Sequence, residues 1–114
     1  MEIRDAAIFI AETLSEKKAQ DITIIDVSSK TSFADYMVLA SGTSKRQVDS
    51  LCEEVEEKME KNKMFTRSVE GKRNSDWVLM DYGDIIVNLL TLEMREKYNI
   101  EKVWGDCEFI NLED

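Results

Sequence analysis

The sequence predicts an α+β domain in which helices flank a mixed, roughly five-stranded β-sheet. Three observations lead there: two segments repeat apolar residues at helical spacing, several short segments are β-branched or alternate with period two, and the two kinds are interleaved along the chain. A length of 114 residues suits a single domain, 1–114, and a hydrophobic content of 43% suffices for one modest core.

The first element is a helix. Ile3, Ala6 or Ala7, Ile10 and Leu14 form one apolar stripe, and Lys17 and Lys18 fall in the last turn, where positive charge complements the helix dipole. Residues 21–27 are β-branched and few, which favours a buried strand. A polar connection, 28–32, leads to a second strand at 36–40. Ser41-Gly42-Thr43 then turns the chain into a strongly marked helix. Its start is a capping box, in which the Ser44 hydroxyl accepts from an unpaired backbone N–H while Gln47 reaches back. Val48, Leu51, Cys52, Val55 and Met59 are its buried stripe, and Asn62 ends it.

Strands at 65–69, 77–81 and 84–90 follow, the first two separated by a polar loop, 70–76. Tyr82-Gly83 reads as a two-residue hairpin turn, glycine supplying the positive φ. Thr91 caps a final helix, Leu92–Tyr98, which Asn99 ends, and an acidic tail continues to Asp114. The connection from the second strand through the helix to the third is long enough for a parallel crossover, whereas the last pair is a hairpin.

With that turn, Asp81 faces Asp84, Leu79 faces Ile86 and Trp77 faces Asn88. One side of the hairpin then carries all six of these residues, while Val78, Met80, Ile85, Val87 and Leu89 make the other uniformly apolar. The mixed side admits two readings. Either Trp77 and Ile86 lie beneath a helix with polar groups at the sheet rim, or the face is a partly exposed docking surface, with an aromatic anchor and acids for a basic partner.

Composition excludes several chemistries. There is no histidine, and Cys52 and Cys107 stand far apart, so His-dependent zinc motifs and triads are absent and Cys52 reads as a small core hydrophobe. No catalytic residue, metal or cofactor is expected. With 24 acids against 15 bases, the net charge of −9 disfavours nucleic acid and anionic membrane and favours basic partners, although solubility alone would also account for it. No apolar run approaches ~18 residues, and the first residues do not form a secretory or organellar leader, so a cytoplasmic protein is expected.

Several runs carry a resemblance to a known family. Residues 35–48 (DYMVLASGTSKRQV), Val69-Glu70-Gly71, residues 77–87 (WVLMDYGDIIV), Arg95-Glu96-Lys97-Tyr98 and Val103-Trp104-Gly105-Asp106 resemble, in order and spacing, the ribosomal silencing factors, also known as Iojap-like proteins. Two positions depart from the pattern: Asn88 stands where the family usually has histidine, and the segment around Thr91 and Leu92 lacks the usual proline. Asn88 cannot titrate near neutrality, so no acid–base role is expected of it.

The resemblance implies a fold similar to that of nucleotidyltransferases. It also implies a non-catalytic protein that binds ribosomal protein fourteen of the large subunit, sterically keeps the small subunit from joining, and represses translation when nutrients are scarce. A homodimer in the free state is implied too. Carried over position by position, the expected contact residues are Trp77, Leu79, Asp81, Glu70, Asp76 and Tyr98, with Asp35 nearby. Ser41, Gly42, Ser44 and Gln47 are expected to shape the strand-to-helix turn instead.

Two other readings compete. A nucleotidyltransferase-like enzyme would need closely spaced metal-binding carboxylates after the Ser41–Ser44 turn, and no Asp-x-Asp pair follows it; the glycine spacing of a phosphate-binding loop is also missing. A generic homodimeric interaction module would account for the mixed hairpin face equally well.

Overall fold

A computed structural model of the chain describes residues 1–71 and 73–112. The element order is α1 (Ile3–Glu16), β1 (Gln20–Asp26), β2 (Tyr36–Gly42), α2 (Lys45–Lys61), β3 (Ser68–Glu70), β4 (Trp77–Asp81), β5 (Ile85–Thr91), α3 (Leu92–Tyr98), a 3-10 helix (Ile100–Trp104) and β6 (Glu108–Ile110). The strands form one mixed sheet in the order β3-β4-β5-β2-β1-β6. Among the described residues only β2 and β5 pair in parallel; the other neighbours are antiparallel.

The sixth strand was not expected from the sequence. Glu108–Ile110 pairs with Ile24–Asp26 and covers part of the outer edge of β1. The crossover from β2 to β3 is parallel, but the two strands are not neighbours. The chain leaves β2 through α2 and reaches β3 at the far edge, so the strand parallel to and beside β2 is β5, reached only after the β3–β4 turn-back. The strand foreseen at 65–69 shrinks to Ser68–Glu70, and Phe65 is exposed. Helix α1 stops at Glu16, so Lys17 is its C-cap and Lys18, at φ 67°, lies beyond it rather than in the last turn.

Helices α1 and α2 cover one sheet face. Ala6, Ala7 and Ala11 let α1 approach closely, and Ile10, Leu14, Leu51, Val55 and Met59 interleave with Val38, Val78, Met80, Val87 and Leu89 from the sheet. Cys52 is fully buried there, as expected. The opposite face is covered by α3 and the 3-10 helix over Ile25, Met37, Leu39 and Ile86, with Ile100 and Trp104 packed against them. This cover stops short of the β3–β4 edge, where Leu79 is half-buried and Ser68 and Glu70 are exposed.

The capping box forms, with one change. Ser44 Oγ accepts from Gln47 N–H (3.1 Å), but Gln47 Oε1 reaches back to the N–H and hydroxyl of Thr43 (2.6 and 3.0 Å) instead of to Ser44. Removing the cap by Ser44→Ala is expected to cost about 1 kcal/mol, readable as a lowered Tm with unchanged far-ultraviolet circular dichroism.

Tyr82, at the end of β4, directs its hydroxyl into the α2 side of the sheet, where the oxygen has no hydrogen-bond partner among the described residues. Burial pushes its pKa up, and the nearby Glu56, Cys52 and Glu60 push it further. Because the buried hydroxyl forfeits hydration without a protein partner, Tyr82→Phe is expected to leave stability unchanged or raise it by up to about 1 kcal/mol in urea denaturation.

Candidate functional site

The β4–β5 hairpin turns one residue later than the sequence suggested. Tyr82 N–H donates to Ile85 O (2.9 Å) around Gly83-Asp84, with Gly83 at φ 88°. Trp77 therefore faces Leu90, Leu79 faces Asn88, and Asp81 faces Ile86. Each pairing moves by two positions along β5, so no side chain changes face. Trp77, Leu79, Asp81, Ile86 and Asn88 share the side away from α1 and α2 as foreseen, now with Leu90; Asp84 lies in the turn.

Trp77 lies against a helix and stays partly exposed. Its ring meets that of Tyr98 on α3, with centroids 5.4 Å apart and planes inclined by 46°. Tyr98 itself remains 52% exposed, and Trp77 is half-buried. The indole Nε1 donates to Asn88 Oδ1 (2.8 Å), and Asn88 is almost wholly buried. Asn88 thus serves as the acceptor that fixes the indole. Its role is positional, in keeping with a side chain that cannot titrate.

The remaining expected residues spread along the hairpin. Asp76 precedes β4; its carbonyl accepts from Thr91 N–H (3.0 Å) and its carboxylate lies 3.9 Å from Lys45 Nζ. Glu70 is exposed on edge strand β3, paired with Leu79. Asp81 lies at the other end of β4, about 13 Å from Trp77 at the usual strand rise. Its carboxylate accepts from Gly83 N–H (2.7 Å), so part of its hydrogen-bonding capacity builds the turn. Asp35, half-buried, donates its N–H to Asp84 O (2.8 Å), which places it at that same end. The structure thus brings Trp77, Asp76 and Tyr98 together at one end, Leu79 and Glu70 midway, and Asp81 and Asp35 at the other.

Sequence reasoning missed what holds α3 in place. Arg95 is 6% exposed, and its guanidinium donates to Ser41 Oγ (3.0 Å), Thr23 Oγ1 (3.1 Å) and both carboxylate oxygens of Glu101 (3.1 and 2.9 Å). This ties α3 and the 3-10 helix to β1 and β2, and so sets Tyr98 against Trp77. The Arg95 side chain holds the Glu101 carboxyl below its ordinary value of 4.5, against an opposing effect of burial. A second tie, Lys30 Nζ to Asp106 Oδ1 and to Val103 O (both 2.8 Å), joins the β1–β2 loop to the 3-10 helix and the segment just after it.

The loop before Trp77 is also held. Asp49 on α2 accepts from the N–H groups of Arg73 (3.1 Å) and Asn74 (2.6 Å), both at positive φ. Gly71 belongs to the same loop: at φ 82°, a Cβ there would collide with the Trp77 carbonyl. Among the described residues no cluster of His, Cys, Asp or Glu has metal-binding geometry, and no helix is long and apolar enough to cross a membrane.

The whole length, residues 1–114, matches the family described as ribosomal silencing factor during starvation. A ribosomal silencing factor of Zymomonas mobilis is 38% identical over 96 residues, covering 84% of this chain and 72% of that one. A mouse protein named mitochondrial assembly of ribosomal large subunit protein 1 is 34% identical over 100 residues, 83% of this chain and 43% of that one. The crystal structure of a Chromobacterium violaceum protein superposes with a TM-score of 0.89 at 35% identity, covering 92% of this chain and 88% of that one. With its full length matched, the motifs in order and the fold shared, this chain belongs to the family of ribosomal silencing factors.

Proposed function

We propose that this silencing factor docks on the large ribosomal subunit through ribosomal protein fourteen, using the Trp77–Tyr98 end of its uncovered sheet face. By occupying that surface it keeps the small subunit from joining and represses translation under nutrient limitation. The action is steric and cytoplasmic, with no reaction catalysed, no cofactor and no membrane. In the free state the protein pairs with a second copy.

The observation that carries this reading is the aromatic pair. Trp77 is locked by Asn88, partnered by a half-exposed Tyr98 and preceded by Asp76, with Leu79 and Glu70 midway along the same face and Asp81 at its far end. A rigid aromatic anchor loses little entropy on binding, and surrounding carboxylates suit a basic ribosomal protein. The mouse relative's name, which links that protein to large-subunit assembly, supports the same choice of subunit.

The test is co-sedimentation with isolated large subunits, followed by subunit-joining assays. The protein is expected to pellet with large subunits, and to lower the yield of joined ribosomes when added before small subunits. Failure to pellet at low and moderate salt would sink the reading and leave a homodimeric interaction module. A folded Trp77→Ala variant that pellets as well as the parent would remove Trp77 from the contact.

A further inference from the structure

We propose that the end of the molecule beside Trp77 carries a second contact surface, one for the sugar–phosphate backbone of RNA; this rests on the ribosomal reading above and adds a second anchoring point to it. Although the chain is acidic overall, its charges are unevenly placed. Lys45 and Arg46 open α2, Arg73 projects from the loop before β4, and Lys97 lies on α3 beside Tyr98, its Nζ 5.5 Å from that ring's centroid. All four are exposed, and they come from three separate elements that meet around Asp76: Lys45 pairs with Asp76, the Arg73 N–H is held by Asp49 on α2, and Lys97 and Asp76 line one cleft of about 220 Å³ with Thr91 and Glu93.

Two features make this more than a solvated surface. Lysine and arginine at the start of a 17-residue helix, with no acid in its first turn, oppose the helix dipole. The compensation is partial: the Asp76 carboxylate lies 3.9 Å from Lys45 Nζ, and the Asp49 carboxylate is occupied by backbone N–H groups. Arg46, Arg73 and Lys97 have no ion pair among the described residues. Glu93 is the remaining acid in the cleft, and it is exposed. A spread of unpaired cations along one border fits a linear polyanion better than a single carboxylate. The net charge of −9 opposes RNA overall, so any approach of RNA is confined to this border, where the cations lie.

Hydroxyl-radical footprinting of ribosomal RNA in large subunits saturated with the protein tests this. The parent protein is expected to protect a short backbone tract. A triple variant, Arg46→Gln/Arg73→Gln/Lys97→Gln, is expected to lose that protection while still pelleting at saturation through the Trp77 face. Its plot of log affinity against log salt is expected to be shallower by roughly one unit per contact removed. Arg46→Lys/Arg73→Lys, which keeps the charge, is expected to retain the footprint. Absence of any protected tract, or an unchanged tract and slope in the triple variant, overturns the proposal. A shallower slope without any protected RNA also overturns it, and assigns the cations to an acidic protein. If the parent protein does not pellet at all, both readings fall, and this is seen before any footprint is taken.

Discussion

Replacing Trp77 by alanine is expected to cost about 3 kcal/mol of stability and at least tenfold in affinity for the large subunit. The stability loss has two sources. Truncating a half-buried tryptophan removes packing against Tyr98 at the low end of the range for large aromatic deletions. It also leaves Asn88 Oδ1, nearly inaccessible to water, without its donor. Urea unfolding gives the first quantity, and co-sedimentation at a temperature where the variant is folded gives the second. Trp77→Phe separates them. It keeps an aromatic ring against Tyr98 but lacks the indole N–H, so it is expected to lose about 1–2 kcal/mol while retaining most of the binding. A Phe variant as weak in binding as the Ala variant would show that ring packing is not the source of affinity.

Arg95→Met is expected to destabilise the protein by about 3–5 kcal/mol, because it strips a partly buried carboxylate and two hydroxyls of their common partner. Adding Glu101→Gln should recover part of that loss, since the uncompensated charge is then gone. The pair also predicts a pH dependence. Glu101 has its folded pKa depressed, so its contribution is complete above the unfolded value near 4.5 and is lost as pH falls through the lower folded value. Unfolding free energy measured from pH 6 downward should therefore drop more for the parent than for Glu101→Gln. Equal slopes would mean that Arg95 gains little from the charge of Glu101.

Why Arg95 escaped the sequence is plain in physical terms. It sits in a seven-residue helix, too short for an apolar stripe to be read, and a charged residue among Glu93, Glu96 and Lys97 looks solvated. Its partners, Thr23 and Ser41, are distant in sequence and ordinary in kind. The long helix was legible for the opposite reason: Val48 through Met59 repeat with the helical period, and Ser44 and Gln47 mark its start. Strand β6 was hidden because three residues give no usable alternation and lie in an acidic tail. The hairpin face could be read although its turn was misplaced, because a shift of two residues preserves the side on which each residue lies. At the site itself, the pattern gave the face of Trp77, Leu79 and Asp81. The Asn88 acceptor and the turn-building use of the Asp81 carboxylate required coordinates.

The strand order has a consequence for how the chain folds. The β4–β5 hairpin closes locally, on the microsecond scale usual for such turns. The central β2–β5 contact must wait for α2, β3 and β4, and β1 gains its outer neighbour only when residues 108–110 return across most of the sequence. Contacts so far apart along the chain slow the search for the native state. Until β6 arrives, the backbone of Ile24–Asp26 is an open template for mispairing with another chain. Pulsed hydrogen exchange during refolding should therefore protect amides of β4 and β5 first and those of β6 last.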